Sequence, residues 1–292
     1  MTRTLPQPLS RPRVALLTAL AMAAFAANSL LCRAALRHTA MDPASFTTLR
    51  LLAGAGATWA LVRSLGGAGG GQARAGSWAS ALALFVYAAT FSFAYLTLPA
   101  GMGALLLFGA VQATMILYGR WRGERLRPAQ GAGLALALLG LLWLLAPGRT
   151  APPLGGALLM LTAGVAWGVY SLRARGAGDP GRATAGNFLR AVPLALGLSL
   201  ALLPWARLDR AGVVYALLAG GLASGLGYAL WYAALGGLKA ASAAAVQLSV
   251  PVLAALAGVA LLGEPVTARL LVASAAVLGG IALVLLQPGE RL

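Results

Sequence analysis

Residues 261–286 read LLGEPVTARLLVASAAVLGGIALVLL. From residue 267 onward the stretch carries one charge, Arg269, and is otherwise dominated by Leu, Val and Ala. Roughly 20 apolar residues in a helix cross the ~30 Å hydrocarbon core of a bilayer. The run lacks the apolar–polar alternation of barrel strands, and backbone facing lipid has to satisfy its own hydrogen bonds. It therefore reads as a membrane-spanning helix. Working outward, Gly263-Glu264 closes a second such run at 240–262. Others lie at 14–36, 44–63, 77–97, 101–119, 128–146, 154–172, 184–204 and 211–234, joined by short connections. The fold class expected is an all-α integral membrane protein with ten transmembrane helices.

Composition points the same way. The 292 residues are 60% hydrophobic and 10% charged, against roughly 25% charged in ordinary globular chains. Too few polar side chains exist to cover a water-facing surface, which excludes a soluble enzyme. The net charge of +16 suggests nucleic acid at first sight. Nucleic-acid modules, however, set aromatics among Lys and Arg on one polar face. Here the basic residues cluster between apolar runs, as membrane topology requires, so no nucleic-acid partner is expected. Cys32 is the single cysteine and His38 the single histidine. An intrachain disulfide is therefore impossible, and no metal site or cofactor is expected.

Arg3, Arg11 and Arg13 followed by VALLTALAMAAFA have the look of a secretory signal. The apolar run continues to about Leu36, longer than a signal core, so the segment is expected to stay as the first span. With the amino terminus inside, the basic residues of the connections fall mainly on the inner side, led by Arg120, Arg122, Arg125 and Arg127. Both termini are then cytoplasmic, in a multi-pass protein of the cell (inner) membrane.

The chain repeats itself. Gly123-Glu124 recurs as Gly263-Glu264, Gly140 as Gly280 and Arg50 as Arg190, each at an offset of 140. Asp42-Pro43 and Asp179-Pro180 correspond at 137. These matches divide the chain into 1–148 and 149–292, with five spans each. An odd number inverts the second copy, the architecture of secondary transporters with a site at the repeat interface.

These features resemble the EamA-type carriers of the drug/metabolite transporter superfamily. The resemblance rests on GER after the fourth span, the 261–286 stretch, AxxAWG ending at Gly168, and FAANS at 25–29, where Phe25 stands in place of the family's frequent tryptophan. It implies an inverted-repeat fold and export of metabolites or amino acids.

Polar and aromatic side chains inside the spans mark a candidate substrate site, because an unpartnered buried hydroxyl or amide costs roughly 1–3 kcal/mol. Tyr87, Thr90, Phe91 and Tyr95 fall at helical spacing in the third span. Ser224, Tyr228, Trp231 and Tyr232 form a similar stripe in the eighth. Trp167, Tyr170 and Ser171 lie together in the sixth span, Asn28 and Ser29 in the first, Gln112 in the fourth, and Gln247 with Ser249 in the ninth. Interfacial anchoring and helix–helix hydrogen bonding are the competing explanation for individual members. Pro251 and Pro193 each remove a backbone donor within a span and are candidate kink or gating elements. Gly164/Gly168 and Gly221/Gly225 are small-residue pairs suited to close packing. Glu124 and Glu264 are expected to cap helices or pair with Arg122, Arg125 or Arg269. Arg50 and Arg190 either bind a substrate carboxylate or snorkel to the interface.

No acid falls at a span centre, where proton-coupled carriers keep one. Facilitated diffusion or exchange is therefore expected. No nucleophile–base set and no GxxxxGK[ST] motif occurs, so neither an enzyme nor an ATP-driven pump is expected. The function expected is a secondary transporter moving small organic metabolites by alternating access. Amino acids, aromatic and hydrophobic ones included, are the leading substrates, and export is the expected direction. A lipid flippase, a channel or a carrier of other neutral metabolites or drugs is the alternative.

Overall fold

A computed structural model of the protein describes residues 10–64, 75–123, 127–149, 151–174, 179–235, 237–238 and 245–286, without the side chain of residue 232. In chain order the helices are α1 (Arg11–His38), α2 (Pro43–Ser64), α3 (Trp78–Ala94), α4 (Ala100–Trp121), α5 (Pro128–Leu145), α6 (Leu154–Ala174) and α7 (Pro180–Ala201). They are followed by α8 (Arg210–Leu235), α9 (Ala245–Leu262) and α10 (Ala268–Leu286). Among the described residues, 7 helices are long and apolar enough to cross a membrane: α1, α4, α5, α6, α8, α9 and α10. Helix α3 is apolar but shorter, at 17 residues. Helices α2 and α7 have 22 residues each, and polar side chains such as Thr47, Thr48, Arg50, Arg182, Asn187 and Arg190 dilute them.

Local chemistry starts and stops these elements. Asp179 and Asp209 cap α7 and α8 by accepting from Arg182 N and Gly212 N, each at 3.0 Å. Asp42 does the same for α2, accepting from Ala44 and Ser45, and Pro43 follows it where a helix needs no backbone donor. Asp42 also ties α2 to the segment before α8, because its Oδ2 accepts from Arg207 N at 2.9 Å. Partial burial raises its pKa, but the hydrogen bonds from Ser45, Arg207 and Ala44 outweigh this and hold the carboxyl below its ordinary range. Gly263 ends α9 at φ 62°, a left-handed conformation that glycine adopts without a Cβ penalty.

The two sequence halves interleave. Helix α2 lies antiparallel to α7: Thr48 Oγ1 donates to Ala195 O at 2.9 Å, Gly54 faces the Phe188 ring, and Val62 faces Gly181. Helix α5 lies antiparallel to α10, with Gly133 against Gly280, Gly140 against Ala276 and Gln130 Nε2 donating to Val284 O at 3.2 Å. Helix α4 opposes α9, Gly101 meeting Ala255. Helix α6 packs on α3 and α4, and α1 packs on α8 and α9. The central element is α4, with 72% of its apolar stretch buried against 28% for α5. Leucines such as Leu139, Leu142, Leu200, Leu256 and Leu261 are exposed on the outside, as a lipid-facing surface requires.

Two local departures matter. Within α8, residues Leu218–Leu226 form a π-helix. Its wider turn aligns positions five apart, so Gly220 and Gly225 both face α2, against Arg50 and Ala57 respectively, while Gly221 faces open space. The close-packing pair is therefore Gly220/Gly225, not the Gly221/Gly225 expected from α-helical spacing. Gly164 and Gly168 do pack closely, against Ala110 and Thr114 of α4. In α9 the helix is interrupted by a turn at Leu248, whose N–H bonds Ala245 O three residues back. Pro251 explains the turn, since its ring clashes with the carbonyl four residues earlier. Pro193 sits inside α7, which continues through it.

Candidate functional site

A cavity of about 430 Å³ lies where α1, α3, α4, α6, α8 and α9 converge. Trp167 of α6 is its centrepiece. Its ring stacks on Tyr228 at 5.3 Å and 15°, and on Tyr170 at 5.3 Å and 28°. Tyr87 packs on it at 4.8 Å. Phe25 bridges Tyr228 and Trp231 at 5.9 and 6.1 Å, and Phe91 extends the wall from Tyr87 at 5.4 Å. Such offset and tilted pairs are favoured over face-to-face sandwiches, because the rings carry a negative face and a positive edge. Neutral hydrogen-bonding groups punctuate the rings: Asn28, Ser29, Gln112, Ser171, Ser224 and Gln247. Asn28 Nδ2 donates to Tyr87 Oη at 3.1 Å, and its Oδ1 is buried without a partner.

Eleven residues of the expected substrate site line this cavity: Asn28, Ser29, Tyr87, Phe91, Gln112, Trp167, Tyr170, Ser171, Tyr228, Trp231 and Gln247. Three lie off it. Tyr95 is fully buried behind Phe91, its hydroxyl donating to Ala100 O at 3.2 Å. Thr90 turns back to Val86 O and Ser249 to Val246 O, each at 2.7 Å, satisfying their hydroxyls within their own helices. The side chain of Tyr232 lies outside the described residues. Sequence reading missed Phe25, Leu107, Phe108, Val111 and Met115 as wall residues. Apolar side chains in an apolar span carry no signal that separates cavity from packing.

The cavity reaches toward one end of the bundle, where Ala174, Pro180, Leu235 and Gln247 line it. There it adjoins a polar space of about 400 Å³ that shares Tyr170, Ala174 and Pro180 and contains Asn187 and Arg173. Arg173 Nε donates to Ser80 Oγ at 3.1 Å. Asn187 accepts from Ser77 N at 2.9 Å and donates to Tyr170 Oη at 3.4 Å. Toward the opposite end lies a buried ion pair. Arg33 Nε donates to Glu264 Oε1 at 2.9 Å, and Arg33 Nη1 donates to Tyr95 O and Leu96 O. Glu264 Oε2 accepts from Ala100 N at 2.7 Å. Glu264 thus pairs with Arg33 of α1 rather than with Arg269, which donates to Leu144 O and Ala146 O at the end of α5. Glu124 lies outside the described residues.

Arg50 of α2 is 2% exposed, and its guanidinium stands over the Phe91 and Tyr87 rings at 4.8 and 5.2 Å. Its Nη1 is buried with no hydrogen-bond partner. Each desolvated ring face contributes about 2 kcal/mol, which offsets the several kcal/mol that removing an ion from water costs. Arg190, its counterpart by sequence spacing, is fully provided for, with Nη1 donating to Ala75 O and Gly186 O at 2.6 and 3.0 Å. Counted from the Asp-Pro starts of α2 and α7, the position equivalent to Arg50 is Asn187, one helical turn before Arg190.

The EamA-like transporter family model matches residues 154–286, from the start of α6 to the end of α10. The chain belongs to the EamA-like transporter family. This EamA-like chain is 62% identical over 273 residues to "Uncharacterized protein PA1977" of Pseudomonas aeruginosa, covering 94% of each chain. A solved crystal structure of another protein superposes with a TM-score of 0.67 at 22% identity, over 97% of this chain and all of that one, and so shares its fold. The EamA-like protein is a multi-pass membrane protein of a small-molecule transporter family.

Proposed function

We propose that this EamA-like protein is a secondary carrier of ten transmembrane helices in two inverted five-helix repeats, 1–148 and 149–292. The helix pairing supports the inversion. Helices five apart in the order, α2 with α7, α4 with α9 and α5 with α10, run antiparallel against each other. The contacts of α3 and α4 with α6 have their exchange-related partners in those of α8 and α9 with α1. Two copies of one unit inserted in opposite directions produce this pattern.

The observation that carries the functional reading is the cavity itself, which draws its walls from both halves. Its volume lies within the roughly 300–1,000 Å³ of small-molecule sites. Rings and neutral dipoles suit amino acids, aromatic and hydrophobic ones included. In this state the site communicates with the end where α6 ends and α7 begins, the cytoplasmic end by the basic-residue count. The Arg33–Glu264 pair closes the other end. Rocking of the halves would exchange which end is closed, with export across the inner membrane as the net direction.

Among the described residues no acid lines the cavity. Asp42, Asp179 and Asp209 cap helices and Glu264 is paired. Exchange or facilitated diffusion is therefore favoured over proton coupling. Counterflow of labelled L-phenylalanine or L-leucine in proteoliposomes tests the reading. Saturable flux that persists without a pH gradient is expected. Absence of saturable flux refutes the carrier, and flux abolished by collapsing the gradient refutes the coupling. Tags near residues 124 and 264 should report opposite faces of the membrane, and a shared face would refute the inversion.

A further inference from the structure

The carrier reading leaves the charge of the cargo open, and the buried cations bear on it. An ionisable group inside the membrane is costly and is expected to face a partner or a pathway. Arg33 has Glu264 and two carbonyls, and Arg190 has two carbonyls. Arg50 differs: among the described residues it forms no ion pair, and its buried Nη1 has no acceptor. The two rings it rests on, Tyr87 and Phe91, are themselves walls of the cavity, so a single layer of aromatic side chains separates the guanidinium from the cargo space. Tyr87 is held by Asn28, another lining residue. At the mouth, Arg173 lines the adjoining polar space. The route thus runs from one guanidinium to another, and no described carboxylate lies along it.

We propose that Arg50 is the anchor for a carboxylate on the transported molecule, reached when the Tyr87 ring swings aside, and that the cargo is an apolar or aromatic monocarboxylate such as a hydrophobic amino acid. The rings hold the guanidinium while the site is empty, and a bidentate carboxylate replaces them when it is full. Asn28 Oδ1, buried beside Tyr87 and also without a partner, is the acceptor for an ammonium on the same molecule. The inference rests on the carrier reading, and its test separates the two.

The test is counterflow and ligand-induced thermal stabilisation with matched probes: L-phenylalanine, 3-phenylpropionate and L-phenylalaninamide, which lacks the carboxylate. Wild-type protein should take up and be stabilised by the two carboxylates and not by the amide. Arg50→Gln should raise the KM for L-phenylalanine about ten- to a hundred-fold, the value of a charge-assisted hydrogen bond. Arg50→Lys should recover part of it, because the charge returns without the planar fork. Amide and carboxylate handled alike by the wild type, or an unchanged KM in Arg50→Gln, overturns the anchor and leaves the carrier standing. No saturable flux of any probe refutes the carrier and the anchor with it. Should Arg50→Gln fail to fold, the wild-type comparison of carboxylate with amide still decides the matter.

Discussion

Removing Glu264 probes the closed end of the bundle most directly. Its carboxylate joins three chain segments: Arg33 of α1 at 2.9 Å, Ala100 N at the start of α4 at 2.7 Å, and its own position between α9 and α10. The side chains of the pair are 10% and 11% exposed, so little water screens them. Stripping one partner from a buried ion pair costs about 3–5 kcal/mol, because the other charge stays buried. Arg33 keeps the carbonyls of Tyr95 and Leu96, which places Glu264→Ala near the lower end, about 3 kcal/mol. Glu264→Gln retains an oxygen for Ala100 N and should cost about half as much, near the value of one unsatisfied charged group. Adding Arg33→Met removes the stranded charge, so the double variant should be more stable than the sum of the singles by about 1 kcal/mol or more. Thermal unfolding in detergent of the wild type, Glu264→Ala, Glu264→Gln, Arg33→Met and the double variant measures these costs. Cys32, fully buried and next to Arg33, gives a second readout: a membrane-impermeant maleimide should label it faster in Glu264→Ala than in wild type. A loss below about 0.5 kcal/mol, or strict additivity, would show that the pair does not close this end.

Gly220→Ala should destabilise the protein by about 1–3 kcal/mol, since the added methyl collides with the Arg50 carbonyl and Ala53. Gly221→Ala meets open space and should be neutral or slightly stabilising, so equal melting temperatures would contradict the π-helical register. Trp167→Ala removes the ring on which Tyr87, Tyr170 and Tyr228 converge. It should weaken L-phenylalanine binding about tenfold, the value of one aromatic pair, with unchanged affinity as the contrary result. Asp42 contributes stability above its ordinary pKa of 3.8 and loses it as pH falls through its lower folded value. The stability gap between wild type and Asp42→Asn should therefore be constant near neutrality and shrink below about pH 4 in melting curves.

Much of the site is legible along the chain. Tyr87 and Phe91 share one face of α3, and Ser224, Tyr228 and Trp231 share one face of α8, because polar or aromatic groups in a lipid-soluble helix stand out against their surroundings. The Gly263 turn that ends α9 is visible for a similar reason, as local chemistry has to be written locally. Tyr95, Thr90 and Ser249 show the limit of this reading. Their hydroxyls find acceptors within a few residues, and no spacing rule distinguishes a group so satisfied from one that faces a cavity.

Hydrocarbon thickness and the cost of bare backbone polar groups act on each segment by itself, so the order of residues already dictated lipid as the solvent and helix as the conformation. Which distant groups meet depends on how the helices pack, and local pattern does not encode it. Packing chose Arg33 over Arg269 as the partner of Glu264, shifted the close-approach pair in α8 by one residue through a π-helical turn, and left Arg50 Nη1 without an acceptor while supplying Arg190 Nη1 with two carbonyls.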